Sequence, residues 1–324
     1  MKRTLITLIT CLLVAVPYAS ILAQTSKLRV GFCSRVISSA AAPFAVATKM
    51  GWYKEDGVEV ELLALAGSAD CVKTTATREI PFSLPSVEPL AAARTQGIKA
   101  KIFYTAYQGN IYGIAVPADS LIQKITDLKG KKIGVSFGGS TFAGTKALLE
   151  LNKINPDKDV EYIGLPGNEP KIAAMKQGII SAALLAPPAD FLAMKSGMKR
   201  LVSLADVFKD TAFTGLAATS KTIKENPQMV KRMVRAIVRS VIYTRDNPED
   251  ALQILTKRLG LSRDAALDAY QMIREALVPV PTERGVELMA QWQAIALNTK
   301  PKRKPAEYMD LRFVNEVMAE LGQK

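Results

Sequence analysis

The chain has 324 residues, 43 Lys and Arg against 30 Asp and Glu, and no histidine, for a formal charge of +13. With 48% hydrophobic and 23% charged residues it has the composition of a folded protein, and its length exceeds what one core usually serves, so two domains are expected. The missing imidazole excludes His-ligated metal hydrolysis, Ser-His-Asp and Cys-His nucleophiles and imidazole acid–base chemistry, which leaves Lys, Glu, Asp and Tyr for any catalysis.

Lys2 and Arg3 precede an uncharged stretch, Thr4 to Ser26, whose apolar heart from Leu5 to Val16 ends at Pro17. This is the order of a secretory signal peptide, taken as residues 1–23 with a cut after Ala23, a cut after Ala19 being the alternative. An uncleaved membrane anchor is the competing reading, and Pro17 with Thr7, Thr10, Tyr18 and Ser20 weighs against it. Cys11 lies in the apolar heart without a lipobox before it. Export leaves Cys33 and Cys71 in the mature chain, where a bridge is chemically allowed and two buried thiols are equally consistent with the sequence. Nucleic acid is not an expected partner, because aromatics are only 6% and the sharpest basic cluster, Lys300, Lys302, Arg303 and Lys304, reads as a solvated connection between prolines.

Lys27 to Cys33 alternates as a strand, Ser34 to Ala42 is a loop, and Pro43 opens a helix carrying Phe44, Ala47 and Met50 up to Gly51. A strand at Val58 to Leu65, a helix at Ala69 to Arg78, a strand at Pro81 to Leu84, a helix at Val87 to Gln96 and a strand at Lys101 to Ala106 follow. A second α/β unit begins after Ile111 to Val116. Its strands are Ile133 to Phe137, Val160 to Leu165, Ala182 to Leu185, Leu201 to Leu204 and Phe213 to Ala218; its helices are Ser140 to Leu151, Glu169 to Gly178 and Ala189 to Ser196. From Pro227 the pattern is helical, with Met229, Met233, Ile237 and Val241 on one face. Ala251 to Leu259, Ser262 to Ala276, Glu283 to Leu297 and Phe313 to Leu321 continue it. Such alternation predicts sheets flanked by helices, with a ligand crevice beyond the carboxyl ends of the strands.

Gly51-Trp52-Tyr53-Lys54-Glu55-Asp56-Gly57-Val58-Glu59-Val60-Glu61 after Ala42-Pro43-Phe44, then Gly67-Ser68, Asp127-Leu128-Lys129-Gly130-Lys131-Lys132 and Gly138-Gly139-Ser140-Thr141, form a recurring set. Together with Gly178 before Ala182-Ala183 and Lys304-Pro305 before Asp310-Leu311, this set resembles the periplasmic substrate-binding proteins of ABC importers for nitrate, sulfonates, bicarbonate and thiamine-precursor pyrimidines. The resemblance implies an α/β, two-lobed periplasmic binding protein-like clamp of type II with a helical C-terminal region. Lobe one would hold residues 27–112 plus 213–324 and lobe two residues 115–212, hinged near Gly113 and Thr214-Gly215. It further implies a non-enzymatic monomer in the periplasm, without cofactor or metal. Such a monomer captures a small polar, anionic organic solute by lobe closure and delivers it to an ABC permease in the inner membrane. A ligand-sensing adaptor and a histidine-free enzyme are the alternatives. The pyrimidine synthase on this fold consumes its own histidine and uses a cysteine-rich segment; this chain has neither. Arg78-Glu79-Ile80-Pro81 also departs from the family's usual glycine and aspartate before the third strand.

Helix starts at strand ends offer unpaired N–H groups and partial positive charge to an anion. Gly139, Ser140 and Thr141 are the strongest such start, and Ser68 is its counterpart in lobe one, with Asp70 as a helix cap or charge partner. As a phosphate loop the Gly139 segment fails, since no Gly-Lys-Ser/Thr follows. Around them the sequence places Ser34, Arg35, Ser86, Glu88, Tyr107, Gln108 and Asn168. Arg35 is either the bidentate anchor of an anionic group or a surface loop arginine. Pro187-Pro188 is read as cleft wall.

Overall fold

The computed structural model describes residues 26–33, 39–85, 89–90, 93–94, 96–137, 140–296, 307 and 309–323. The signal segment, the basic run at 300–304 and much of the helix expected from Val87 lie outside these residues. The strands in chain order are β1 (Ser26–Phe32), β2 (Val58–Ala64), β3 (Phe82–Leu84), β4 (Ala100–Thr105), β5 (Gly113–Pro117), β6 (Lys132–Val135), β7 (Glu161–Gly164), β8 (Ala182–Leu185), β9 (Met198–Ser203) and β10 (Gly215–Thr219). They make two five-stranded sheets, ordered β2-β1-β3-β10-β4 and β7-β6-β8-β5-β9. This is the two-lobed architecture that the family resemblance implies, built of the helix-flanked sheets that the alternation of strand and helix predicts.

The direction of the strands decides where the lobes meet. In the first sheet β2, β1 and β3 are parallel and β10 runs antiparallel to both its neighbours; in the second, β7, β6 and β8 are parallel and β5 runs antiparallel to its neighbours. The reversed strand of each sheet is the one that arrives from the other lobe. The chain therefore leaves sheet one at the carboxyl edge of β4 and enters sheet two at its carboxyl edge through β5. The return from β9 to β10 does the same in reverse. Both carboxyl edges consequently face the same two crossings, which is where open α/β sheets bind ligands.

The crossings pair with each other. Gly109 N–H donates to Thr211 O (2.6 Å), Phe213 N–H to Tyr107 O (3.2 Å) and Leu204 N–H to Tyr112 O (2.8 Å). Gln108 and Ala212 form an antiparallel bridge, and the Tyr112 and Phe213 rings meet edge-on at 4.8 Å. Asn110 is fully buried between them, its Oδ1 accepting Tyr112 N–H at 3.0 Å. Two adjacent strands joined by backbone bonds can twist together, as a hinge requires.

The helices after residue 220 cover the first sheet. Pro227 sits in the first turn of the Pro227–Asp246 helix, where its missing N–H costs nothing. Val230, Met233, Val234, Ile237, Val238 and Val241 form its fully buried stripe, and each such side chain contributes about 1.5–3 kcal/mol of burial before entropy is charged. This helix packs on the Ala42–Lys49 and Arg312–Glu320 helices. The Glu283–Ala296 helix instead lies along the Ser140–Leu151 helix of the second lobe, with Trp292 and Phe208 ring centroids 3.8 Å apart. The return segment thus touches both lobes.

The expected elements recur with small shifts, and the differences are local. Trp52–Glu55 and Ser220–Glu225 are short helices that the sequence pattern does not reveal, because one turn carries no periodicity. The second is started by Thr219, whose hydroxyl accepts Thr222 N–H at 3.0 Å. The strand expected at Leu201 to Leu204 runs from Met198 to Ser203, and Leu204 opens a helical turn.

Candidate functional site

At the carboxyl edge of sheet one, β1 ends at Cys33 and β2 leads through Gly67 into the Ser68–Thr77 helix. Because β1 and β2 are parallel neighbours in register from Ser26↔Val58 to Phe32↔Ala64, Cys33 and Cys71 fall side by side. They form a disulfide with Cα atoms 5.6 Å apart, which decides the question the sequence left open. The bridge ties the exit of β1 to the helix that Ser68 opens. Asp70 reaches back to Ala66 N–H at 3.3 Å, the capping role expected of it.

The carboxyl edge of sheet two is tied by hydrogen bonds instead. Ser136 Oγ donates to Leu165 O (3.2 Å), joining the ends of β6 and β7. Thr141, the second residue of the Ser140–Leu151 helix, accepts Ser136 N–H on its hydroxyl at 3.3 Å and so ties the helix start to the exit of β6. Asn168 precedes the Glu169–Lys176 helix, and its Oδ1 accepts Ala186 N–H at 3.3 Å, joining the exits of β7 and β8. Pro187 and Pro188, linked by a cis peptide, then lead into the Ala189–Lys195 helix.

The expected site residues divide accordingly. Ser68, Ser140, Thr141 and Asn168 stand at strand-to-helix junctions of the two facing edges. Gln108 is part of the hinge ladder, its N–H donating to Ala276 O at 2.7 Å. Tyr107 is 1% exposed and its phenol donates to Ala40 O at 3.1 Å. It supports the Ser39–Ala41 turn, and burial pushes its phenol well above the ordinary range. Ser34, Arg35, Ser86, Glu88 and Gly139 lie outside the described residues.

Lys171 is a residue that the sequence reading passed over. It is 1% exposed in the first turn of the Glu169–Lys176 helix, and its ammonium meets the Leu184 carbonyl at 3.4 Å. No described carboxylate pairs with it, and burial pushes its pKa down to about 8. Only its neighbours' placement reveals it: an apolar-looking helix face holds a lysine behind the β8 exit. Among the described residues no cluster of three or more cysteine or carboxylate side chains is arranged to hold a metal, and no helix is long and apolar enough to cross a membrane.

Two sheets whose carboxyl edges face the same pair of crossings, with helix starts at those edges, form a two-lobed α/β arrangement. Comparison with known proteins agrees. The riboflavin-binding protein RibY of Chloroflexus aurantiacus is 28% identical over 246 residues, covering 74% of this chain and 68% of that protein. A putative aliphatic sulfonates-binding protein of Bacillus subtilis is 25% identical over 239 residues, 71% of this chain and 69% of its own. In structure, the alkanesulfonate-binding protein SsuA of Xanthomonas axonopodis pv. citri, bound to MOPS, superposes with a TM-score of 0.75 at 15% identity. That superposition covers 88% of this chain and 98% of SsuA, and speaks for the fold. The family model described as NMT1/THI5 like matches residues 38–251, from the turn after the first strand through the crossings, and the chain belongs to that family of type II clamps.

Proposed function

We infer that this protein is the periplasmic solute-binding component of an ABC import system, capturing a small polar, anionic organic solute by lobe closure and handing it unchanged to a membrane permease. The observation that carries this reading is the direction of the crossings, which turns the carboxyl edges of both sheets, with the starts of the Ser68–Thr77 and Ser140–Leu151 helices, toward one hinge. Helix starts favour an anion without offering a nucleophile. Arg35 supplies the bidentate partner, and Ser34, Ser86, Glu88 and Asn168 the polar surround. Relatives whose names specify sulfonates and riboflavin support a negatively charged or strongly polar organic ligand as a class.

Native mass spectrometry of the gently purified mature protein tests the reading by its co-purified mass. Arg35→Ala should weaken binding of that molecule about 10-fold to 100-fold, the effect of losing a charge-assisted pair. Enlarging Gly139 should weaken it while the protein stays folded. Unchanged affinity in both variants would refute this placement, and chemical alteration of the solute would refute the transport role.

A further inference from the structure

A cluster of charges joins the two lobes beside the hinge. Arg200 lies on β9, and its guanidinium is held by Asp190 of the Ala189–Lys195 helix, with Nη2 and Nε at 2.6 and 3.2 Å from Oδ2. Both residues belong to lobe two. The same Nη2 is 3.6 Å from Asp268 Oδ2 and 3.6 Å from Met272 Sδ, both on the Arg263–Ala276 helix. That helix belongs to lobe one: Ala266, Tyr270, Ile273 and Ala276 lie in its core, and Tyr270 Oη donates to Thr244 O at 3.0 Å. Its end is fastened to the hinge through Gln108 N–H to Ala276 O and Val278 N–H to Ala106 O (2.9 Å).

Two features show that the contact is unfinished in this conformation. At 3.6 Å the Arg200–Asp268 pair is an ion pair and not a hydrogen bond, and Asp268 Oδ2 is buried with no hydrogen-bond partner among the described residues. Asp190 Oδ1 is likewise buried and unpartnered in a side chain only 2% exposed. A buried acceptor without a donor is costly, so a small approach of the lobes that completes the Asp268 bond is favoured. Gly113, the first residue after the outward crossing, leaves the space: a Cβ there would stand 3.3 Å from the Arg200 side chain.

We propose that Arg200 is the interlobe clasp of this protein, a positioning residue that Asp190 holds in lobe two and that closes onto Asp268 of lobe one. The clasp sets the closure equilibrium and, given the solute-binding reading above, the affinity for solute, without touching the solute. A protein that must close to bind loses affinity in proportion to the fraction of closed state it loses.

The test needs no ligand. Spin labels at Lys73→Cys and Lys176→Cys, exposed positions in lobes one and two, report the interlobe distance of the ligand-free mature protein by pulsed electron resonance. Asp268→Asn should lower the short-distance population about 10-fold, the worth of one charge-assisted hydrogen bond. Arg200→Met with Asp190→Asn and Asp268→Asn, which removes all three charges together and strands none, should do the same if the first variant does not fold. Glu249→Gln, an equal charge change at an exposed site paired with Arg263, should leave the distribution unchanged. Identical distributions in the wild type and in whichever of the two clasp variants folds overturn the clasp while leaving solute binding intact; absence of any bound solute overturns the binding reading and leaves the distances to judge the clasp.

Discussion

The two lobes share a strand order, three parallel strands followed by a reversed one and an edge, yet they fix the loops at their facing edges by different means. Lobe one uses a covalent bond, Cys33–Cys71, across its first two parallel strands. Lobe two uses the hydrogen bonds of Ser136, Thr141 and Asn168, and holds a buried lysine, Lys171, that bonds the Leu184 carbonyl and has no carboxylate partner among the described residues. The covalent clip acts on the unfolded chain and is indifferent to pH; the hydrogen-bonded ties act on the folded state and respond to single substitutions, and Lys171 in the same lobe responds to pH. One architecture thus gives a redox-sensitive lobe and a pH-sensitive one.

The largest expected effect is on the clip. Replacing Cys33 and Cys71 with alanine removes a link between residues 38 apart, for which chain entropy gives a loss of about 4 kcal/mol. Urea unfolding should show it, and reduction of the wild type should reproduce it; a loss below about 1 kcal/mol would mean that the bridge does not restrain lobe one. Lys171→Met probes the other lobe. The Lys171 pKa is about 8 in the folded state against an ordinary 10.5, so between these values the unfolded chain holds a proton that the folded one has lost. Stability of the wild type should therefore rise with pH across that window, by about 3 kcal/mol relative to the variant. Parallel pH profiles for the two proteins would sink the assignment.

Two smaller changes sharpen the contrast. Gly31 and Gly134 occupy the second strand of their sheets, but a Cβ at Gly31 meets Leu65 Cδ1 at 2.8 Å and Ser83 Cβ at 3.2 Å, with the bridged Cys71 Sγ at 3.6 Å. At Gly134 the nearest atoms, Ile180 Cδ1 at 2.5 Å, Leu165 Cδ1 at 3.3 Å and Lys171 Cγ at 3.5 Å, all lie along longer side chains, whereas the Ser83 Cβ beside Gly31 is fixed to the backbone. Gly31→Ala should cost about 2 kcal/mol and Gly134→Ala about half as much, by thermal or urea unfolding. Equal costs would show that the clip does not stiffen lobe one. Finally, Asn168→Ala removes the bond to Ala186 N–H and should cost about 1 kcal/mol with a few-fold loss of solute affinity. An effect on stability with none on binding would place Asn168 outside the solute's surround.

Much of the fold was legible because strand and helix periods are local. The alternation of Leu28, Val30 and Phe32, Pro227 at a helix start and glycines at turns each act over a few residues, and their elements appear within a residue or two of expectation. The short helices at Trp52 and Ser220 escaped because a single turn leaves no period to read. That Ser68, Ser140, Thr141 and Asn168 stand where strands pass into helices was legible for the same local reason, and the rule that ligands meet helix starts beyond strand ends made them candidates. Tyr107 satisfied the same rule in sequence, but its ring is drawn into the core and bonded to Ala40.

By itself the sequence determined the α/β alternation, the missing imidazole that removes histidine chemistry, and the placing of polar and glycine residues where strands pass into helices. Tertiary structure alone decided which distant segments became neighbours: Cys33 with Cys71, the crossing at 106–112 with the return at 208–214, Arg200 with Asp268, and Lys171 behind β8. The reason is physical. A local conformation is set by a residue and its near neighbours, whereas a pairing across 38 or more positions, like the burial that shifts a lysine's pKa, exists only once both sheets and their covering helices are packed.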